Sequence, residues 1–229
     1  NNVASTGSTF TLTTSIDNLQ GTAGNDTFLA DGNTSSAADQ INGGAGTDTF
    51  KTYDTGITKL PTLKNIEVLQ IAGQVTDAAQ NLSSYTKAVT GVEKVVFDDV
   101  SLLSGRAITT TAGQSLSLAT GASNLKTAGT VTWAASATDA TLNLALNGYQ
   151  GKDASPAALT VTGASATTLN IASTGAANKV GTFTGPVSVT KHVITGDQSF
   201  GYALAAADAA KVTTIDASAA TGGVSADTR

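Results

Sequence analysis

Four aspartates near the start of the chain hold a fixed distance from four large apolar residues, and that phase limits the possible folds more than any other feature. Gly43-Gly44-Ala45-Gly46-Thr47-Asp48-Thr49-Phe50-Lys51 has the form G-G-x-G-x-D-x-U-x, where U is a large apolar residue. Gly21-Thr22-Ala23-Gly24-Asn25-Asp26-Thr27-Phe28-Leu29 repeats it and lacks only the second glycine. The nine residues before each, Leu12 to Gln20 and Thr34 to Asn42, keep Asp17 with Leu19 and Asp39 with Ile41. Two tandem pairs result, 12–29 and 34–51, separated by Ala30-Asp31-Gly32-Asn33. The chemistry explains the spacing. Glycine lets the backbone turn tightly and aim carbonyl oxygens inward, aspartate supplies a charged oxygen, and the U residue begins a short strand that points into a core.

These residues resemble the RTX repeats of bacterial proteins exported by type I secretion. The wording Asp17-Asn18-Leu19-x-Gly21-Thr22-Ala23-Gly24-Asn25-Asp26-Thr27-Phe28, then Asp39-x-Ile41-x-Gly43-Gly44-Ala45-Gly46-Thr47-Asp48-Thr49, is similar to proteobacterial S-layer proteins and large RTX surface proteins. The resemblance covers about the first quarter of the chain. It implies a parallel β-roll that binds Ca2+, with Gly21, Ala23, Asp26, Gly43, Ala45 and Asp48 as metal-site residues and Asp17 and Asp39 of the degenerate repeats behind them. Two of the four nonapeptides carry the glycines and an insert breaks the run, so one to a few calcium ions are expected near each pair, not a long ladder of ions. Asp and Gly also make plain polar turns, but four aspartates in phase with four core residues favour ligation.

Composition fits this reading. The 229 residues are 40% hydrophobic, 13% charged and 5% aromatic, which suits short strands and tight turns stacked side by side. A net charge of -5 argues against a nucleic-acid partner. Cysteine is absent, so an extracellular protein of this kind would be stabilised by metal and not by disulfides. Methionine is absent too, which leads us to expect a piece or processed product of a longer chain. No apolar run approaches the roughly 20 residues of a membrane span, so membrane insertion is not expected.

The chain divides into a nonapeptide segment (1–52), a strand-rich continuation (53–106) and a Thr/Ala/Gly-rich β body (107–229). Thr9 to Thr13 alternate as a first strand would. Asn65-Ile66-Glu67-Val68-Leu69 and Gly91-Val92-Glu93-Lys94-Val95 are similar phrases 26 residues apart (91 − 65), read as strands on one growing sheet. Between them, residues 76–85 suggest a short helix starting at Thr76 or Asp77. Alternating runs at 115–118, 130–133, 141–146, 159–162, 168–171 and 187–195 predict half-buried strands. Ala203 to Lys211 predicts a second short helix, and Val212 to Ser218 a closing strand before a glycine turn at 222–223. The fold expected is mainly all-β: a calcium-binding parallel β-roll or β-helix-like solenoid with short helices. A β-sandwich is the alternative for the C-terminal half.

Other chemistry finds little footing. His192 is the one histidine, so a two-histidine zinc motif is excluded, and its alternating run makes it a surface strand residue. There is no G-x-S-x-G elbow and no phosphate loop. Asp31 and the pair Asp98-Asp99 read as solvated turn residues, and Trp133 and Tyr149 as core or rim residues with a lesser prospect of stacking on a sugar. The function expected is therefore structural: a segment of an S-layer subunit at the cell surface, not an enzyme, self-associating into a lattice and with a cell-surface polysaccharide as a further possible partner. Calcium is scarce inside cells and about 10⁻³ M outside, so binding would drive folding after export. An RTX adhesin or glycan-binding module is the alternative. A polysaccharide lyase or epimerase is more remote, with only Lys152, Lys179, Lys191 and His192 as basic candidates in the β body.

Overall fold

A computed structural model of the chain describes residues 6–75, 79–85, 90–100, 105, 107–120, 130–150 and 157–228. The strands of the first half are β1 (Thr9–Thr11), β2 (Asn18–Gln20), β3 (Thr27–Ala30), β4 (Gln40–Asn42), β5 (Thr49–Thr52), β6 (Thr62–Lys64), β7 (Val68–Gln74), β8 (Gln80–Asn81), β9 (Lys94–Asp99) and β10 (Ala107–Thr109). Those of the second half are β11 (Ser115–Ala119), β12 (Thr130–Ala134), β13 (Thr141–Asn147), β14 (Ala157–Thr162), β15 (Thr168–Thr174), β16 (Asn178–Thr184), β17 (Lys191–Gly196), β18 (Phe200–Leu204), β19 (Thr214–Ala220) and β20 (Val224–Asp227).

Odd and even strands belong to different sheets. All ten odd strands form one sheet in the order of the chain, β1-β3-β5 through to β19. The even strands form a three-stranded sheet, β2-β4-β6, and a seven-stranded one, β8 through β20. Every pairing between these strands is parallel. The chain therefore winds as a solenoid, laying one strand on the long sheet and the next on the opposite wall. The parallel solenoid, and not a sandwich, continues through the C-terminal half. The long sheet crosses positions 52/53 and 106/107 without a break, since β5 pairs with β7 and β9 with β11.

Side-chain alternation along each strand makes the winding possible, because residues two apart share a face. Inward residues of successive coils stack in register. One column runs Phe10, Phe28, Phe50, Leu69, Val95, Leu116, Leu144, Ile171, Ile194. The first four repeat positions behave as the sequence predicts: Leu19, Phe28, Ile41 and Phe50 each sit in a strand and turn inward, and the Phe10 and Phe28 rings stack at 4.9 Å. The 26-residue offset also holds, with Val68 opposite Lys94 (94 − 68). Coil length varies from 18 to 28 residues while the inward columns stay continuous, so the corners absorb the insertions.

Several local expectations change. In the region expected as a first helix, residues 76–78 lie outside the described residues; Gln80–Asn81 is strand β8, and Leu82–Ser84 is one 3-10 turn capped by Asn81 Oδ1. The alanine-rich stretch stays extended to Leu204 and forms only a short helix, α1 (Ala206–Ala209), because Phe200, Tyr202 and Leu204 bury their side chains as β18. Residues 187–190 turn before β17 begins at Lys191. Beyond the glycine turn at 222–223 the chain adds β20, which pairs with β18. Among the described residues no helix is long and apolar enough to cross a membrane.

Leu144 faces the core and neighbouring Asn143 faces out on β13. Leu144→Ala is expected to cost about 2–5 kcal/mol in urea unfolding, and Asn143→Ala under about 1 kcal/mol. Equal losses would contradict the assignment of the two faces.

Candidate metal centre

The residue immediately before each strand stands at a corner of the coil. Asp26 and Asp48 occupy this place before β3 and β5, and Asp17 and Asp39 before β2 and β4. The four aspartates therefore form two separate columns on different walls and do not meet at one point. Within each column a carboxylate accepts from the backbone amide of the corresponding residue one coil earlier. Ser8 N–H donates to Asp26 Oδ1 at 2.6 Å, Asp26 N–H to Asp48 Oδ1 at 2.7 Å, and Asp17 N–H to Asp39 Oδ1 at 3.0 Å.

An aspartate side chain spans this gap across coils of both 18 and 22 residues. The next corner holds Glu67, whose Oε2 accepts from Asp48 N–H at 2.7 Å across a coil of 19 residues. The sequence reading took Glu67 only as part of a strand phrase and missed it as a member of the column. The available signal was its place two residues before Leu69, matching Asp48 before Phe50.

Three of the four carboxylates are satisfied by donors. Asp26 Oδ2 accepts from Thr22 N–H at 2.6 Å, Asp39 Oδ2 from Ser36 N–H at 2.8 Å, and Asp17 Oδ2 from Thr13 N–H at 2.7 Å. Burial alone would raise Asp26, but the amides of Ser8 and Thr22 outweigh it and hold the carboxyl below its usual range. Asp48 differs. It is fully buried, and its Oδ2 has no hydrogen-bond partner. Its pKa is raised, first by burial and then by the charges of Asp26 and Glu67, against the opposing pull of the Asp26 amide.

That free oxygen has a specific neighbour. A Cβ on Gly43 would overlap both Asp48 Oδ2 and the carbonyl oxygen of Asn65, so two acceptors face one small space with no donor between them. Asn65 adopts a left-handed conformation (φ 50°), tolerable for asparagine, and its carbonyl stands over Gly43 as the Gly43 carbonyl stands over Gly21. Gly21 and Gly43 are thus required by close approach of the next coil. Ala23 and Ala45 lie exposed on the outside of the turns, where Ala45 N–H donates to the Thr22 carbonyl at 3.2 Å.

Two inward-facing oxygens, one of them an anionic carboxylate, suit a hard cation. Asp48 Oδ2 and the Asn65 carbonyl would hold it, and the ion would supply the positive charge that Asp26, Asp48 and Glu67 lack. Among the described residues no three His, Cys, Asp or Glu side chains are grouped to hold a metal by themselves, so any such site depends on backbone oxygen.

The remaining candidates serve other ends. Asp31 Oδ1 accepts from Asn33 and Thr34 amides in its own turn, and Asp98 and Asp99 accept from Gln70 and Gln74 side chains. Trp133 is fully buried and donates Nε1–H to Thr110 Oγ1 at 2.9 Å; Tyr149 is fully buried too, so neither is exposed for a sugar. His192 is likewise buried, which corrects its placement as a surface residue. Lys191 pairs with Asp216 at 3.8 Å on the outer face, Lys179 is exposed on the opposite wall, and Lys152 lies outside the described residues.

Asp48→Asn places an amide N–H where it can donate to the Asn65 carbonyl and removes one of three stacked charges. In metal-free buffer at pH 7 the variant is expected to melt at or above the parent temperature. A lower melting point would mean that Asp48 is not frustrated in the metal-free protein.

No protein-family model, curated protein or solved structure matches this chain.

Proposed function

We propose that this chain is a structural segment of a bacterial cell-surface layer, a parallel solenoid whose N-terminal coils are stabilised by calcium. The observation that carries the reading is the free, buried Asp48 Oδ2 facing the Asn65 carbonyl within a column of three carboxylates on consecutive coils. The resemblance of the nonapeptides to RTX repeats supplies the identity of the ion and the setting, export followed by folding outside the cell. A structural role is further supported by the long sheet's outer surface, where β11, β13 and β15 present Ser, Thr, Ala and Asn. Such a wall offers broad area for contacts between copies of the chain.

Calcium at the corner would offset the mutual repulsion of Asp26, Asp48 and Glu67 and tie the nonapeptide coils to the coil that follows them. Because the ion binds only the wound form, stability rises with its concentration. At calcium 100-fold above its dissociation constant the gain is about 2.7 kcal/mol, or roughly 5–10 °C in melting temperature for a chain of this size. The test is thermal unfolding and sedimentation in millimolar calcium and then in chelator. The expected result is a melting temperature that falls on chelation, with self-association confined to calcium; Asp48→Asn is expected to abolish the calcium response. An unchanged melting temperature would overturn the metal reading, and a calcium response without association would overturn the lattice.

A further inference from the structure

Two buried side-chain atoms among the described residues have no hydrogen-bond partner: Asp48 Oδ2 and, towards the other end of the solenoid, His192 Nε2. His192 occupies an inward column that reads Leu142, Leu169, His192, Ile215 from coil to coil. It is fully buried. From the opposite wall Phe183 meets the imidazole edge-on at 5.4 Å, and Tyr202 Oη lies 3.1 Å from Nδ1. The site accommodates a neutral ring with one hydrogen bond. An imidazolium carries two N–H donors and a charge, and here the second donor, at the buried Nε2, would have no acceptor.

Among the described residues no facing group compensates. Tyr202 is the titratable neighbour, and burial pushes its hydroxyl up, so it brings no charge in acid. The charged residues on the surrounding elements turn elsewhere: Lys191 and Asp216 pair on the outer face, Lys179 and Asp197 are exposed, and Asp208 Oδ2 accepts from Gly185 N–H at 3.0 Å.

We propose that His192 is an acid-operated latch on the C-terminal coils, packing β17 between its neighbours when neutral and forcing that section open when protonated. Burial lowers its pKa from 6.5 to about 4. The folded value is below the unfolded one, so the unfolded chain takes the proton first. The stability contributed by neutral His192 is complete above pH 6.5 and is lost as pH falls towards 4.

The test is hydrogen exchange of the full chain in saturating calcium at pH 6.5 and 4.5, corrected for intrinsic rates. Amides of β15 to β19 are expected to lose protection by on the order of 40-fold, with those of β9 and β11 as references. His192→Phe, which keeps an aromatic ring but cannot titrate, is expected to remove the loss. Equal losses in both proteins, or a loss spread evenly along the solenoid, would overturn the proposal. An imidazole NMR titration of the parent protein gives a second reading that needs no variant. A midpoint near 4 in the folded state supports the latch, and one near 6.5 contradicts it.

Discussion

Coils of this protein meet backbone to backbone, about 4.8 Å apart, and everything else depends on that contact keeping its register. A slip of one residue would turn every inward side chain outward. Two devices prevent it. The inward columns from Phe10 to Ile194 reward only one alignment, and the carboxylate-to-amide bonds at Asp26, Asp39, Asp48 and Glu67 fix the corners where each strand starts. The first is apolar and tolerant of which large residue is present. The second is polar and directional.

Holding register with carboxylates has an electrostatic cost. A stacked column places like charges on neighbouring coils in a buried setting, where repulsion is stronger than in water. Backbone amides offset it at Asp26 and leave one oxygen of Asp48 unmatched. A cation resolves the imbalance without disturbing the apolar columns. The corner before β9 is still an acid, Glu93, and farther along the long sheet the corners include neutral residues, Gln114 before β11, Thr167 before β15 and Thr190 before β17. The polar device is concentrated in the N-terminal coils, and the C-terminal coils rely on packing.

The fold was legible wherever a residue's role depended on local spacing. Leu19, Phe28, Ile41 and Phe50 announce their strands through the aspartate two residues before them, and Leu142, Leu144 and Leu146 through strict alternation. The candidate site was legible only in part. Gly43 and Asp48 are visible in the motif, but their partners Asn65 and Glu67 arrive from a coil without the glycines, and only the stacking of that coil reveals them. His192 is hidden for a related reason. Its own run, Lys191-His192-Val193-Ile194, does not say which face is inward, and the neighbours that decide it, Leu169 and Ile215, are each about 23 residues away. At Ala203 and Leu204, helix propensity yields to the stronger claim of the sheet that buries Tyr202 and Leu204.

The most direct measurement is an experimental structure of the chain in millimolar calcium, inspected beside Gly43. A calcium-stabilised solenoid predicts an ion bound to both Asp48 Oδ2 and the Asn65 carbonyl at about 2.3–2.6 Å. A protonated Asp48 donating directly to the Asn65 carbonyl, with no ion between them, would contradict it.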